Sequence, residues 1–163
     1  IVGSVFAGTR LDGVLVGQVT PDGDDAADEI IRLVRESPFV SQLQLILVQG
    51  VTLGGFNVVD LFAIHERLGV AALAVCRRRP DREAVRAALD KRIANPDVKW
   101  RIIERLGPME PAGKVFVQRV GLTLDEATAV IERLSMHGSM PEPLRVSHLV
   151  AGALVRGHSH GRA

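Results

Sequence analysis

The residues best placed to do chemistry gather around the stretch Leu43–Asp60, Leu-Gln-Leu-Ile-Leu-Val-Gln-Gly-Val-Thr-Leu-Gly-Gly-Phe-Asn-Val-Val-Asp. A short apolar run stops at Gln49-Gly50, a glycine-bearing loop follows, and a helical pattern begins near Asn57. Ligands of α/β sheets bind at the carboxyl ends of strands, where such strand-to-helix turns lie. A second apolar run, Val70–Cys76, leads into Arg77-Arg78-Arg79-Pro80. With the two runs parallel, one sheet edge collects Gln49, Thr52, Asn57 and Asp60 from one turn and Arg77–Arg79 from the other. Asp22, Asp24 and Asp25 follow the run Gly13–Thr20 and approach the same edge. Carboxylates there suit a hard divalent cation, which prefers oxygen ligands. Neighbouring arginines suit phosphate oxygens. The combination fits metal-assisted phosphodiester hydrolysis.

Each of these residues also has a plainer role open to it. Asp22-Gly23 is ordinary turn chemistry, and Asp24 or Asp25 can cap the helix that follows. Asp60 stands in a first helical turn, where a carboxylate favours the helix dipole. Arg77–Arg79 can be a solvated cluster. Cys76 reads as a small buried strand residue rather than a nucleophile, and no serine–histidine–acid signature surrounds it. His65 lies mid-helix as surface or core filler, whereas His148 and Arg145 on the last helix form a candidate pair for contacting a ligand. The tail His158-Ser159-His160 has a metal-binding composition. Gly50–Gly55 lacks the lysine and spacing of a phosphate loop.

The elements that must position these residues are legible from period and punctuation. Ile1–Ala7 and Gly13–Thr20 read as a hairpin, and a helix carrying Ile30, Ile31 and Val34 ends near Ser37-Pro38. Leu43–Val48 suits a strand covered on both faces. Asn57–Leu68 reads as an amphipathic helix closed by Gly69. Asp81–Ile93 and Val98–Leu106 read as further helices, and Val115–Val120 as a strand. Thr123-Leu-Asp-Glu126 is a capping box that starts a helix reaching about Met136. A last helix covers roughly Leu144–Val155. A hairpin followed by alternating helix and strand predicts an α/β architecture with a mixed sheet in a single domain, 1–163.

Composition sets the bounds. The chain has 163 residues, 47% of them hydrophobic, which suffices for a real core. One cysteine rules out an intrachain disulfide and suits a reducing cytoplasm. The apolar runs are too short to span a bilayer, and no signal-peptide pattern opens the sequence. The net charge of +1 hides an asymmetry: residues 1–60 carry −5, and residues 61–163 carry +6. That split fits either solvated basic helix faces or an acidic metal cluster beside a basic surface for phosphates.

Three motifs give a resemblance. Leu47–Asp60, Arg78-Arg-Pro-Asp81 and Pro141-Glu-Pro-Leu-Arg-Val-Ser-His-Leu-Val-Ala151 look like an archaeal domain family of unknown function, number ninety-nine. That family is regarded as related to endonuclease V, and some of its members are labelled endonuclease dU. The resemblance covers nearly the whole chain. It implies a ribonuclease-H-like, endonuclease-V-like fold, a mixed sheet with helices on both faces. It also implies a metal-dependent (Mg2+ or Mn2+) DNA-repair endonuclease acting at deaminated bases, deoxyuridine or deoxyinosine. Relatives of endonuclease V place one carboxylate on the first strand, one near the first helix and one after the strand equivalent to Leu43–Val48. Here the middle position corresponds to Asp25, with Asp22 in the same motif, and the third is the amide Gln49. A histidine expected before Arg119 is Gln118. The first strand has no counterpart, so the domain is expected to lack its native N-terminal strand.

The resulting expectation makes Asp25, Asp22 and Gln49 the catalytic set, with Asp22 and Asp25 on the metal. Thr52, Asn57, Arg77, Arg78, Arg145 and His148 are expected to contact DNA, or RNA in its place, and no membrane partner is implied. Two alternatives stay open: a non-catalytic nucleic-acid-binding relative, and a nucleotide- or small-molecule-binding protein using the same cleft.

Overall fold

The computed structural model describes residues 1–160. It opens with an antiparallel hairpin of β1 (Val2–Ala7) and β2 (Arg10–Val16). Helix α1 (Ala26–Arg35) follows and buries Ile30, Ile31 and Val34. Strand β3 (Leu45–Gln49) leads into a small antiparallel pair, β4 (Thr52–Leu53) and β5 (Asn57–Val58), then helix α2 (Leu61–Leu68). Next come strand β6 (Ala71–Cys76) and helices α3 (Arg82–Arg92) and α4 (Pro96–Leu106). Strands β7 (Glu110–Ala112) and β8 (Val115–Val120) and helices α5 (Leu124–Leu134) and α6 (Glu142–Arg156) complete the order.

The principal sheet has four strands in the order β3-β6-β8-β7. β3 and β6 are parallel, with Gln49 opposite Val75, and the other two pairings are antiparallel. The sheet is therefore mixed, as the pattern predicts. β6 shows why it sits inside: Ala72 and Ala74 belong to a core that contains Ile31 of α1 and Ile64 of α2. Leu73 and Val75 belong to a second core with Ala127 and Ile131 of α5 and Leu144 of α6. The period-2 alternation of one strand thus feeds two hydrophobic layers, with helices on each face. A third, smaller core joins Val58 to Leu89 of α3 and Ile103 of α4. Among the described residues no helix is long and apolar enough to cross a membrane.

Local chemistry fixes the helix ends. Asp60 caps α2 by accepting from the Phe62 and Ala63 amides at 2.9 and 3.2 Å, and Gly69 closes it with φ 70°. Thr123 and Glu126 form the reciprocal capping box of α5.

Three features depart from or add to the sequence reading. Among the described residues, the β1–β2 hairpin stands as its own two-stranded sheet and makes no ladder with the principal one. The helix expected from Asn57 starts only at Leu61, because Asn57 and Val58 pair with Leu53 and Thr52. The short edge strand β7, with proline at its centre, has no period strong enough to announce it.

Candidate active site

The site is built around a loop, residues 20–25, laid over the β4–β5 turn. Gly54 and Gly55 make that turn with φ 52° and 91°, a region that side chains rarely enter. The Gly54 carbonyl accepts the Asp22 amide at 2.9 Å, and Asp22 Oδ1 accepts the Phe56 amide at 2.7 Å. A Cβ at Gly55 would collide with the Asp22 carboxylate, so the glycine leaves the space in which that carboxylate sits. Asp22 itself takes φ 56°, which aspartate tolerates better than most residues.

Asp25 is held more tightly. Its carboxylate accepts from the Thr20 amide at 3.1 Å and the Thr20 hydroxyl at 2.7 Å. A third donor is Asn57 Nδ2, at 2.5 Å. Hydrogen bonds from Thr20 and then Asn57 lower the Asp25 pKa below its ordinary value, so the group stays anionic at neutral pH. Although Asp25 is the N-cap residue of α1, its side chain makes no capping bond. Its oxygens face the loop instead.

Asn57, expected to contact nucleic acid, turns its side chain inward and braces the loop. It is fully buried. Its Oδ1 accepts the Ala26 amide at 3.0 Å, and its Nδ2 also donates to the Thr20 carbonyl at 2.9 Å. Its amide is spent inside the protein.

Gln49 ends β3 with an exposed side chain, and the Gly50 amide donates to the Val75 carbonyl at 3.0 Å. That bond sets the start of the 52–58 hairpin on the same strand ends from which Arg77 emerges. Arg77 and Arg78 are exposed and belong to none of the ion pairs among the described residues. Arg79 lies over the Phe116 ring at 5.4 Å. Thr52 lies half-buried in β4, on the same edge. Burial raises the Cys76 thiol pKa, in keeping with an inert strand residue.

Arg145 and His148 are carried by α6. Arg145 makes a bidentate pair with Glu142 in the first turn of α6, Nε to Oε2 at 2.8 Å and Nη2 to Oε1 at 2.5 Å, so its fork is already filled. His148 lines a groove between β1 and β3. His65 ties Nδ1 to the Val70 carbonyl at 2.8 Å and packs against Gly121. Gln118 is buried and donates to the Gly107 carbonyl at 2.6 Å. His158 and His160 lie with ring centroids 5.9 Å apart. Among the described residues, no three His, Cys, Asp or Glu side chains form a group that would hold a metal ion.

Sequence reasoning missed Lys99. It is 3% exposed, and its ammonium donates to the Gly23 carbonyl and to Asp24 Oδ1, the latter at 2.6 Å. It clamps the acidic loop from α4. The available signal was a lysine between Val98 and Trp100 in an amphipathic helix, which reads equally as a solvated position.

The family model described as endonuclease dU matches residues 1–155. A UPF0215 protein of Deinococcus radiodurans is 46% identical over 162 residues, covering 99% of this chain and 82% of that one. A UPF0215 protein of Methanothermobacter thermautotrophicus is 40% identical, covering 100% of this chain and 82% of that one. The crystal structure of a protein of unknown function from Archaeoglobus fulgidus superposes with a TM-score of 0.91 at 37% identity, over 96% of this chain and 90% of that one. With a family match over almost its whole length, the chain belongs to the endonuclease dU family.

Proposed function

We propose that this chain is a metal-dependent endonuclease that cuts DNA at deaminated bases, deoxyuridine or deoxyinosine, on a ribonuclease-H-like, endonuclease-V-like fold. Family membership supports a nuclease. The observation that carries the reading is the loop bearing Asp22 and Asp25, fixed by Asn57, Phe56 and Lys99 on the sheet edge from which the exposed Arg77 and Arg78 emerge.

Two carboxylates fit Mg2+ or Mn2+ in its usual sparse form. Such an ion commonly takes one or two carboxylates and completes its shell with water and substrate phosphate. The carboxylate of Asp22, for which Gly55 leaves room, and the anionic state of Asp25 suit that donor set. Bound there, the ion supplies Lewis acidity at the phosphate and a more acidic water. The chain's own residues do the rest. Thr20 and Asn57 orient the Asp25 carboxylate, and Lys99 keeps the loop from swinging away. Gln49 offers an amide at the strand end, Thr52 a hydroxyl, and Arg77 and Arg78 bind phosphate oxygens as charge-assisted forks.

A nicking assay on duplexes containing uracil or hypoxanthine, with Mg2+ or Mn2+, tests this. Cutting is expected, and Asp25→Ala is expected to abolish it; cutting that survives the substitution sinks the metal role of Asp25. One observation favours a second reading, a non-catalytic nucleic-acid-binding relative. Gln49 is an amide where the resemblance implies a carboxylate, and no third ligand joins Asp22 and Asp25 among the described residues. Binding with a steep salt dependence and no cutting would establish that reading.

A further inference from the structure

The turn between α3 and α4 stands against the acidic loop and leaves a cavity of about 360 Å3 between them. Asp22 and Asp24 come to it from the loop, and Arg92, Asn95 and Val98 from the turn and its flanking helices. Lys99 also lines it, with its ammonium already given to Gly23 and Asp24. The turn is anchored: the Ile93 amide donates to the Leu89 carbonyl at 2.9 Å, and Ile93 packs against the third core. The metal role of Asp22 and Asp25 makes no use of this space.

Two polar side chains on the helix side are left unspent. Asp60, Asp81 and Thr123 cap α2, α3 and α5 with their side chains, whereas Asn95, at the same position of α4, makes no capping bond. Asp90 and Asp97 flank the turn, but Arg86 takes both, at 3.0 and 2.7 Å. Arg92 belongs to none of the ion pairs among the described residues. The charges of the lining balance, two carboxylates against one guanidinium and one ammonium. A neutral polar occupant therefore fits better than a phosphate or a free cation. Ile93 and Val98, the latter 53% exposed, add apolar surface. The volume lies at the low end for ligand sites, about 300–1,000 Å3, and suits one small ring system.

We propose that this cavity takes a nucleobase turned out of the stack, and that Arg92 tells a deaminated base from its parent. The proposal rests on the reading of this edge as a site for deaminated DNA. Deamination replaces an exocyclic amine by a carbonyl and puts a proton on the neighbouring ring nitrogen. A guanidinium has donors only. It donates to the carbonyl of uracil or hypoxanthine, but meets the amine of cytosine or adenine with N–H against N–H. A polar group left unpaired in this way is what lets a site reject a close analogue. Asn95 supplies an acceptor for the ring N–H; its amide turns over to suit either edge, so selectivity falls to Arg92. Ile93 and Val98 contact the ring as apolar side chains do for extruded bases. Asp22 lines the cavity and belongs to the loop of Asp25, which sets the base beside the carboxylates proposed to hold the metal.

The test compares the native protein with Arg92→Gln and Val98→Phe on duplexes that differ only in uracil or cytosine at one position, with hypoxanthine and adenine as a second pair. Binding is read by anisotropy without metal, and cutting with Mn2+. The same duplexes serve every protein, so differences in base pairing cancel. Both positions are exposed, and an unchanged Tm confirms that the variants fold. The native protein is expected to prefer the deaminated base. Arg92→Gln should lower that preference at least about tenfold, because a glutamine amide pairs with either edge. Val98→Phe, which places a ring in the cavity, should lower it too. A preference that both variants retain overturns the proposal. So does an Arg92→Gln protein that binds all duplexes more weakly alike, with the slope of log K against log salt reduced by about one, since Arg92 would then be a phosphate contact. Selective binding without any cutting sinks the nuclease reading and leaves the cavity standing; cutting with selectivity untouched in the variants does the reverse. A native protein with no preference, or with no affinity for DNA, removes the cavity's role outright.

Discussion

Asn57 spends both ends of its amide on the loop it holds, joining the Ala26 amide, the Thr20 carbonyl and the Asp25 carboxylate. Asn57→Ala would strand buried backbone groups, so a loss of about 3 kcal/mol in urea unfolding is expected. Asp25 gives a pH signature. Its bonds to Thr20 and Asn57 require the carboxylate and lower its pKa. Their contribution is complete above the unfolded carboxyl value of about 3.9 and is lost as pH falls through the lower native one. The stability gap between the native protein and Asp25→Asn should therefore shrink on acidification from neutrality to about pH 3. A gap constant over that range would show that the carboxylate's charge contributes nothing.

At the scale of elements, the acidic loop belongs to α4 as much as to α1. Lys99 reaches from α4 to Gly23 and Asp24, while α3 and α4 pack on β5 through Val58, Leu89 and Ile103. Lys99→Met keeps the apolar stem and removes the clamp. We expect about 2 kcal/mol of lost stability and a fall in nicking rate out of proportion to it, measured on protein shown to be folded. Nicking that stays at the native rate would make Lys99 purely structural. The α2 boundary shows where local pattern misleads. Asn-Val-Val-Asp-Leu-Phe carries enough apolar spacing for a helix, but the first two residues close a β-pair. That choice depends on a loop that meets Asn57 from 37 residues away.

Across the whole molecule, the charge split between residues 1–60 and 61–163 becomes spatial at the strand ends, with the acidic loop and the exposed Arg77 and Arg78 on one edge. If that edge binds DNA, Arg77→Ala and Arg78→Ala should each weaken binding evenly across sequences. Each should also reduce the slope of log K against log salt by about one. Unchanged slopes would move the nucleic-acid surface elsewhere. Arg145 would then be a weaker substitute, because Glu142 already takes its Nε and Nη2 donors.

The sequence by itself determined the mixed sheet, the parallel β3–β6 pair, the capped helices and the family, because period, caps and glycine punctuation are properties of short segments. It also named the loop of Asp22 and Asp25. Tertiary structure alone decided what those residues face: Asn57 buried as a brace, Lys99 as a clamp, Arg145 neutralised, and His148 turned into a groove. Each of these outcomes hangs on a partner that the folded chain brings close, apart from the Arg145 pair, where only the side-chain geometry chose the partner. The groove beside β3 is the clearest case. The apolar run announced an interior strand, and among the described residues the assembled sheet pairs it with β6 alone.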